Sequence, residues 1–241
     1  MKKIFGFIGS PLKKNSNTHT LTRMMLDKLQ EMDESIDYEV LTAGQVNINH
    51  CKGCWSCMKR GKCPQDKLDD MPLLKKKMMD ADFIIWGSPV YTMQVTGQMK
   101  TFLDRLCSWY HLLKLAGKSG MTVSTTANSG LAEVQDYLKM MLCATGVKIV
   151  TYLGTYGTFP KTLTDPEQAL KEAHKTAEVV YPYINSEKKA ETDDDLEECF
   201  HIMKNKVTYG AKWLPYEHQY WQENDMLDLN SFEELLRKIQ S

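Results

Sequence analysis

The chain has 241 residues, of which 42% are apolar and 25% charged, with 30 lysines and arginines against 31 acids. That is enough apolar material for one large domain with a real core. A formal net charge of -1 lacks the basic excess on which broad nucleic-acid or membrane-surface binding depends, so neither partner is expected. No stretch approaches the ~20 apolar residues of a membrane span. The opening MKKIFGFIGSP stops at Pro11 and is too short for a signal peptide, so it reads as a first strand. A cytoplasmic protein with reduced thiols is expected.

Short apolar runs alternate with amphipathic stretches along the chain. Lys3 to Gly9 reads as a buried strand, and Thr18 to Gln30 places Leu21, Met24, Met25 and Leu29 at helical spacing. Asp37 to Thr42 is a second strand. Asp69 to Met79 begins with acids and ends with lysines, as a helix does. Asp82 to Pro89 is a third strand, followed by a helix over Gly97 to Leu113. Met121 to Thr126 is a fourth strand, with a helix over Leu131 to Cys143. Val147 to Tyr156 is a fifth, with a long helix over Asp165 to Ile184. Alternation of this kind predicts an α/β fold, a doubly wound five-stranded parallel sheet of order 2-1-3-4-5. Ligands of such sheets bind beyond the carboxyl ends of the strands, where the strand order reverses.

The sheet unit is complete by residue 186. Residues 187 to 241 form a C-terminal extension after a polar joint, SEKKAETDDD. A helix from Asp194 to about Asn205, the aromatic stretch WLPYEHQYW and a short helix over Ser231 to Ile239 are expected there. It is too small for its own core and reads as an arm on its own domain or on a neighbouring subunit.

Two segments carry ligand chemistry. GSPLKKNSNT, from Gly9 to Thr18, leaves the first strand and opens the first helix with many hydroxyls and amides. Free backbone N–H groups and the helix dipole make such a turn an anion site. Neither GxGxxG nor GxxxxGK[ST] is present, which favours a mononucleotide phosphate over a dinucleotide or a nucleoside triphosphate. An ordinary Ser/Asn-rich loop with a helix cap is the alternative. GSPVYTMQVTGQMKTFLDR, from Gly87 to Arg105, leaves the third strand opposite that loop.

Together these segments resemble the flavodoxin-like NAD(P)H-dependent FMN reductase family, over roughly residues 1 to 186. The cysteine run described below is similar to that of its iron-sulfur flavoprotein branch. The resemblance implies FMN, with Ser10, Ser16, Asn17 and Thr18, joined by Lys14, at the phosphate. It places Pro89, Val90, Tyr91, Thr92 and Met93 along the ribityl chain and the ring. Ring contacts from Thr126, Ala127 and Asn128 follow from STTANSG, which holds one glycine where the family is glycine-rich. Leu12 stands where many relatives carry Arg. NAD(P)H as electron donor and a homodimer or homotetramer are implied in the same way, with Trp109 or Tyr110 near a partner's flavin. No side chain is expected to act as a catalytic acid or base.

Four of the seven cysteines lie in CKGCWSCMKRGKC. Clustered thiols in a reducing compartment point to metal, cluster or redox chemistry before disulfides. Cys51, Cys54 and Cys57 in a CxxCxxC run, with Cys63 before a proline, are a donor set for a cubane. The branch resemblance implies a 4Fe-4S cluster. Four-thiolate zinc and metal-free thiols shaping a loop are the other readings. Lys52, Lys59, Arg60 and Lys62 would offset cluster charge, or lower thiol pKa values if no metal is bound. Cys107, Cys143 and Cys199 fall on helices as small apolar residues. Three functions follow: an FMN oxidoreductase passing electrons from N5 to a small-molecule or protein acceptor, an electron carrier without a small substrate, or a non-redox module with structural zinc.

Overall fold

Strand β1 (Lys2–Ile8) sends Phe5 and Phe7 to one face of the sheet and Ile4 to the other. This two-residue alternation is what a strand buried on both faces requires. The computed structural model describes residues 2–185 and 187–240. In chain order there follow α1 (Asn17–Met32), β2 (Ile36–Thr42), the short α2 (Ser56–Arg60), α3 (Met71–Asp80) and β3 (Phe83–Tyr91). Next come β4 (Gln94–Val95), α4 (Gly97–Asp104), α5 (Cys107–His111), β5 (Ser119–Thr126) and α6 (Leu131–Cys143). The chain ends with β6 (Lys148–Tyr156), α7 (Pro166–Ile184), α8 (Asp194–Tyr209), α9 (Pro215–Glu223) and α10 (Phe232–Gln240).

The five long strands pair in parallel in the order β2-β1-β3-β5-β6, the doubly wound order read from the sequence. Helices α3, α4 and α6 cover one face, where Phe7 stacks on Phe102 at 4.1 Å and Trp86 meets the same ring edge-on. Helices α1 and α7 cover the other, with Leu21, Met25, Ala169 and Ala173 fully buried. The segment from Asp194 onward adds a third apolar cluster, built jointly with Leu112, Leu113 and Cys143. Trp221 sits at its centre, wholly buried, with its indole N–H donating to the carbonyl of His111 at 2.8 Å. The arm therefore packs on its own chain.

Four elements differ from the sequence reading, two of them the helices α2 and α9, which stand in the cysteine loop and the aromatic stretch. β4 pairs antiparallel with the end of β3, closing a hairpin on Thr92 and Met93, both at positive φ. The expected helix from Gly97 to Leu113 is divided at Arg105 and Leu106. The Arg105 side chain is fully buried in ion pairs with Asp66 and Asp69, and this tertiary demand overrides the helical pattern.

Candidate functional site

Four loops meet beyond the carboxyl ends of β1, β3, β5 and β6. They enclose a cavity of about 330 Å³ at the reversal point of the sheet. Ser10, Ser16 and Asn17 line one end, at the amino terminus of α1. Ser16 caps that helix, accepting from the His19 amide at 3.4 Å, and no acid lies in the first turn. His19 is held below its ordinary pKa by burial first, then by the charges of Arg23 and Lys14. This end is electropositive, and the free amides of the first turn suit an anion.

Pro89, Val90 and Tyr91 line the opposite wall on β3, with Thr126 and Ala127 from the end of β5. Ser88 fixes the strand end: its hydroxyl donates to the Pro89 carbonyl at 2.8 Å and accepts from the Thr96 amide at 3.1 Å. Thr96 in turn caps α4 and donates to the carbonyl of Gly9, tying the two loops together. The lining contains no carboxylate, imidazole or amine.

Of the residues expected at the cofactor, the structure gathers Ser10, Ser16, Asn17, Pro89, Val90, Tyr91, Thr126 and Ala127 at this cavity. Five lie elsewhere. Thr18 is fully buried and bonds the hydroxyl of Thr125 at 2.6 Å, because its position on α1 faces the sheet. Lys14 is exposed on the turn before α1. Thr92 and Met93 form the exposed hairpin turn. Asn128 is exposed, and its amide donates to Thr126 Oγ1. Outside that set, Tyr110, expected with Trp109 near a partner's flavin, is buried and its hydroxyl donates to the Leu103 carbonyl at 3.0 Å, which turns it into its own core.

The fourth loop, 157–160, was missed. It supplies Gly157, Thr158, Phe159 and Pro160 to the cavity. Asn17 Nδ2 anchors it by donating to the carbonyls of Phe159 at 2.9 Å and Thr162 at 3.3 Å. A Cβ on Gly157 would come within 2.6 Å of that nitrogen, so only glycine fits. The signal was present as a Gly/Pro/Thr cluster after the fifth strand. Asn17 Oδ1 is buried without a partner and can accept a hydrogen bond from a ligand. Hydroxyls and amides at an electropositive end, an unmet acceptor, and an apolar and aromatic wall fit FMN as phosphate, ribityl chain and ring.

The second cluster is the cysteine loop. It leaves β2 beside the first loop, where the Gly44 amide donates to the Ser10 carbonyl at 3.1 Å. Its two ends are locked. Arg105 donates to the Asn49 carbonyl at 2.9 Å, to Asp66 at 2.8 Å and to Asp69, and the Arg105 and Asp69 side chains are both fully buried. Asp69 and Asp70 accept from the amides of Asn49 and Asn47. Gln65 donates to the His50 carbonyl at 2.6 Å, and His50 Nδ1 pairs with Thr101 Oγ1. His50 thus serves the loop stem. Burial works to raise the Asp69 pKa, but hydrogen bonds from Arg105, Asn49 and Met71 hold it below its ordinary value.

Between these ends all four cysteines are free, Cys51 and Cys54 exposed and Cys57 and Cys63 half-buried. Burial first, then the neighbouring Cys63, pushes the Cys57 thiol up, so the surrounding basic residues do not activate it. Burial and then Cys57 push Cys107 up to about 11. Among the described residues no three potential ligands are gathered at metal-binding distance. The donor set itself, four free thiols in a CxxCxxC-x5-C run, has the chemistry of an iron-sulfur site. Helix α9 covers the loop from behind: a Cβ on Gly61, at φ +68°, would strike the Tyr216 ring at 2.3 Å. No helix among the described residues is long and apolar enough to cross a membrane.

The fold and cavity define a flavodoxin-like protein with a mononucleotide site. Residues 2–160 match the family of NADPH-dependent FMN reductases. The chain belongs to that family and is an oxidoreductase of that kind. It is 31% identical over 228 residues to an iron-sulfur flavoprotein of Archaeoglobus fulgidus, covering 93% of this chain and all of that protein. Two solved structures share the fold. RosB with a bound 8-demethyl-8-formylriboflavin-5'-phosphate intermediate has a TM-score of 0.61 at 17% identity, covering 86% of this chain and 88% of that one. An FMN-dependent NADH-azoreductase of Bacillus anthracis in complex with FMN has a TM-score of 0.55 at 13% identity, covering 75% and 98%.

Proposed function

We propose that this protein holds FMN in the four-loop cavity, takes electrons from NAD(P)H and delivers them to a small-molecule or protein acceptor. The observation that carries this is the polarity of the cavity: hydroxyls and helix amides at one end, an apolar and aromatic wall at the other. FMN supplies hydride acceptance at N5 and electron release in one- or two-electron steps. The protein binds and orients. Ser10, Ser16 and the α1 amides hold the phosphate, and Asn17 Oδ1 accepts from a ribityl hydroxyl. Pro89, Val90 and Tyr91, with Thr126 and Ala127, would hold the ring. The lining holds no general acid or base, so specificity rests on who can stack at the open mouth. Tyr91 and Phe159 are 44% and 74% exposed there and would receive a nicotinamide, an aromatic acceptor or a second subunit of a homodimer or homotetramer.

Cys51, Cys54, Cys57 and Cys63 would hold a 4Fe-4S cluster, which supplies one-electron storage when bound. The iron-sulfur flavoprotein relative and the donor set support this reading. The test is the absorption spectrum of anaerobically purified protein, with iron assayed on the same sample. A flavin spectrum bleached by NADPH or NADH, above a dithionite-sensitive shoulder with about four irons per chain, is expected. Flavin that stays oxidised with both nicotinamides would overturn the donor assignment. Iron-free flavoprotein from anaerobic cells would overturn the cluster. Reduction by a ferredoxin but not by nicotinamides would make the protein an electron carrier.

A further inference from the structure

Three cysteines lie outside the cysteine loop, and two of them meet. Cys143 ends α6 and Cys199 lies in the middle of α8, more than fifty residues later in sequence. Both belong to the apolar cluster that joins the arm to the sheet domain, Cys143 3% exposed and Cys199 packed against it. Their shared cluster and a neighbouring ion pair place the two helices against each other here. One turn earlier on each helix, Lys139 Nζ and Asp195 Oδ2 form an ion pair at 2.7 Å. Cys143 and Cys199 each lie four residues beyond a member of that pair, on the same face of their own helix. The two thiols also line one open cavity of about 280 Å³, with Met140, Asp136 and Glu198 at its walls, so a small reagent reaches them.

We propose that Cys143 and Cys199 are a reversible dithiol–disulfide site that fastens the C-terminal arm to the sheet domain. The oxidant is a low-molecular-weight disulfide. The Cys199 thiolate attacks one of its sulfurs and releases one thiol. Cys143 then attacks the Cys199 sulfur and expels the second. Two protein thiols lose two electrons, and the reagent disulfide is reduced to two thiols, which take up both protons. The two thiols shift each other's pKa in opposite directions, Cys199 down and Cys143 up. This orders the steps, with Cys199 first. Asp136, Asp195 and Glu198 outnumber Lys139 in the cavity lining, which disfavours anionic reagents and favours a cationic disulfide.

The bond would fix more than two helices. Downstream of Cys199, Lys206 of α8 reaches His111 Nε2 at 2.5 Å, and Glu217 of α9 pairs with His111 Nδ1 at 2.8 Å. Tyr216 of α9 covers Gly61 of the cysteine loop. A staple at Cys199 therefore holds the part of the arm that backs that loop.

The test uses the full chain, reduced, desalted and incubated with cystamine. Remaining thiols are alkylated and the digest is mapped. A cross-linked peptide pair joining Cys143 to Cys199, two hydrogens lighter than the reduced pair, is expected. The melting temperature should rise by roughly 5–10 °C and fall back with dithiothreitol. Cystamine should act at least several-fold faster than oxidised glutathione. C143S should leave Cys199 as a stable mixed disulfide, and C199S should give no cross-link at all. Recovery of both cysteines alkylated, or as two separate mixed disulfides in the unaltered chain, overturns the proposal. So does cross-linking confined to Cys51–Cys63.

Discussion

The four-loop cavity and the stem of the cysteine loop lie side by side and are built on opposite principles. The cavity is walled by hydroxyls, an amide and apolar side chains and has no ion pair in its lining. The stem is closed by a buried guanidinium, three carboxylates and backbone amides, while the thiols beyond it are left free. A ligand pocket must leave polar groups unmet until the ligand arrives, as Asn17 Oδ1 does. A loop that presents donor atoms needs its ends held instead: both terminal nitrogens of Arg105 are paired, and only its Nε is left without a partner. The stem is thus preorganised without a metal.

Breaking the stem should have the largest effect. Arg105→Ala strands Asp69, whose side chain is fully buried, and should cost about 3–5 kcal/mol in urea unfolding. The loop should become a protease site while FMN uptake persists. Loss of FMN in proportion to stability would show that the two regions are one unit. Acid is a reversible version of the same break. Asp69 has its pKa depressed in the folded state, so its contribution is present above its ordinary value of 3.8 and is lost as pH falls through the lower folded value. Faster amide exchange at 47–50 should set in below about pH 4 and be absent at pH 6. Unchanged exchange across that range would contradict the assignment.

On the cavity side, Ser16→Ala removes a phosphate donor and the cap of α1. It should weaken FMN about tenfold in a fluorescence titration and cost about 1 kcal/mol of stability. The smallest effect sharpens the comparison at the hairpin. Thr92 and Met93 both hold positive φ, at 49° and 64°, in a two-residue turn that favours glycine. Thr92→Gly should raise stability by about 1 kcal/mol, a gain of ~2–4 °C in melting temperature. No gain would mean that the Thr92 side chain makes a contact worth as much as the strain.

The sheet order was legible because each strand is a short apolar run bounded by turn residues and each helix carries a 3.6-residue stripe. The placement of Ser10, Ser16 and Asn17 at one end of the cavity was legible for a similar reason, since they are local to one strand-to-helix turn. Long-range pairings were not. Nothing near Arg105 announces Asp66 and Asp69, so the helix from Gly97 was read straight through the place where it breaks. Thr18 was assigned to the ligand because its hydroxyl fits the motif, yet helical phase turns it toward Thr125. The loop at Gly157 was passed over because its partner, Asn17, lies 140 residues away. Pairing of Cys143 with Cys199 is likewise invisible until two helices are laid together.

The central claim is that the α1 end of the cavity reads a phosphate. Its most direct test is a parallel titration of the flavin-free protein with FMN and with riboflavin, followed by flavin fluorescence. Affinity for FMN should exceed that for riboflavin on the order of 100-fold, since the phosphate brings several charge-assisted hydrogen bonds that riboflavin lacks. Equal affinity for the two, or binding of neither, would contradict the account.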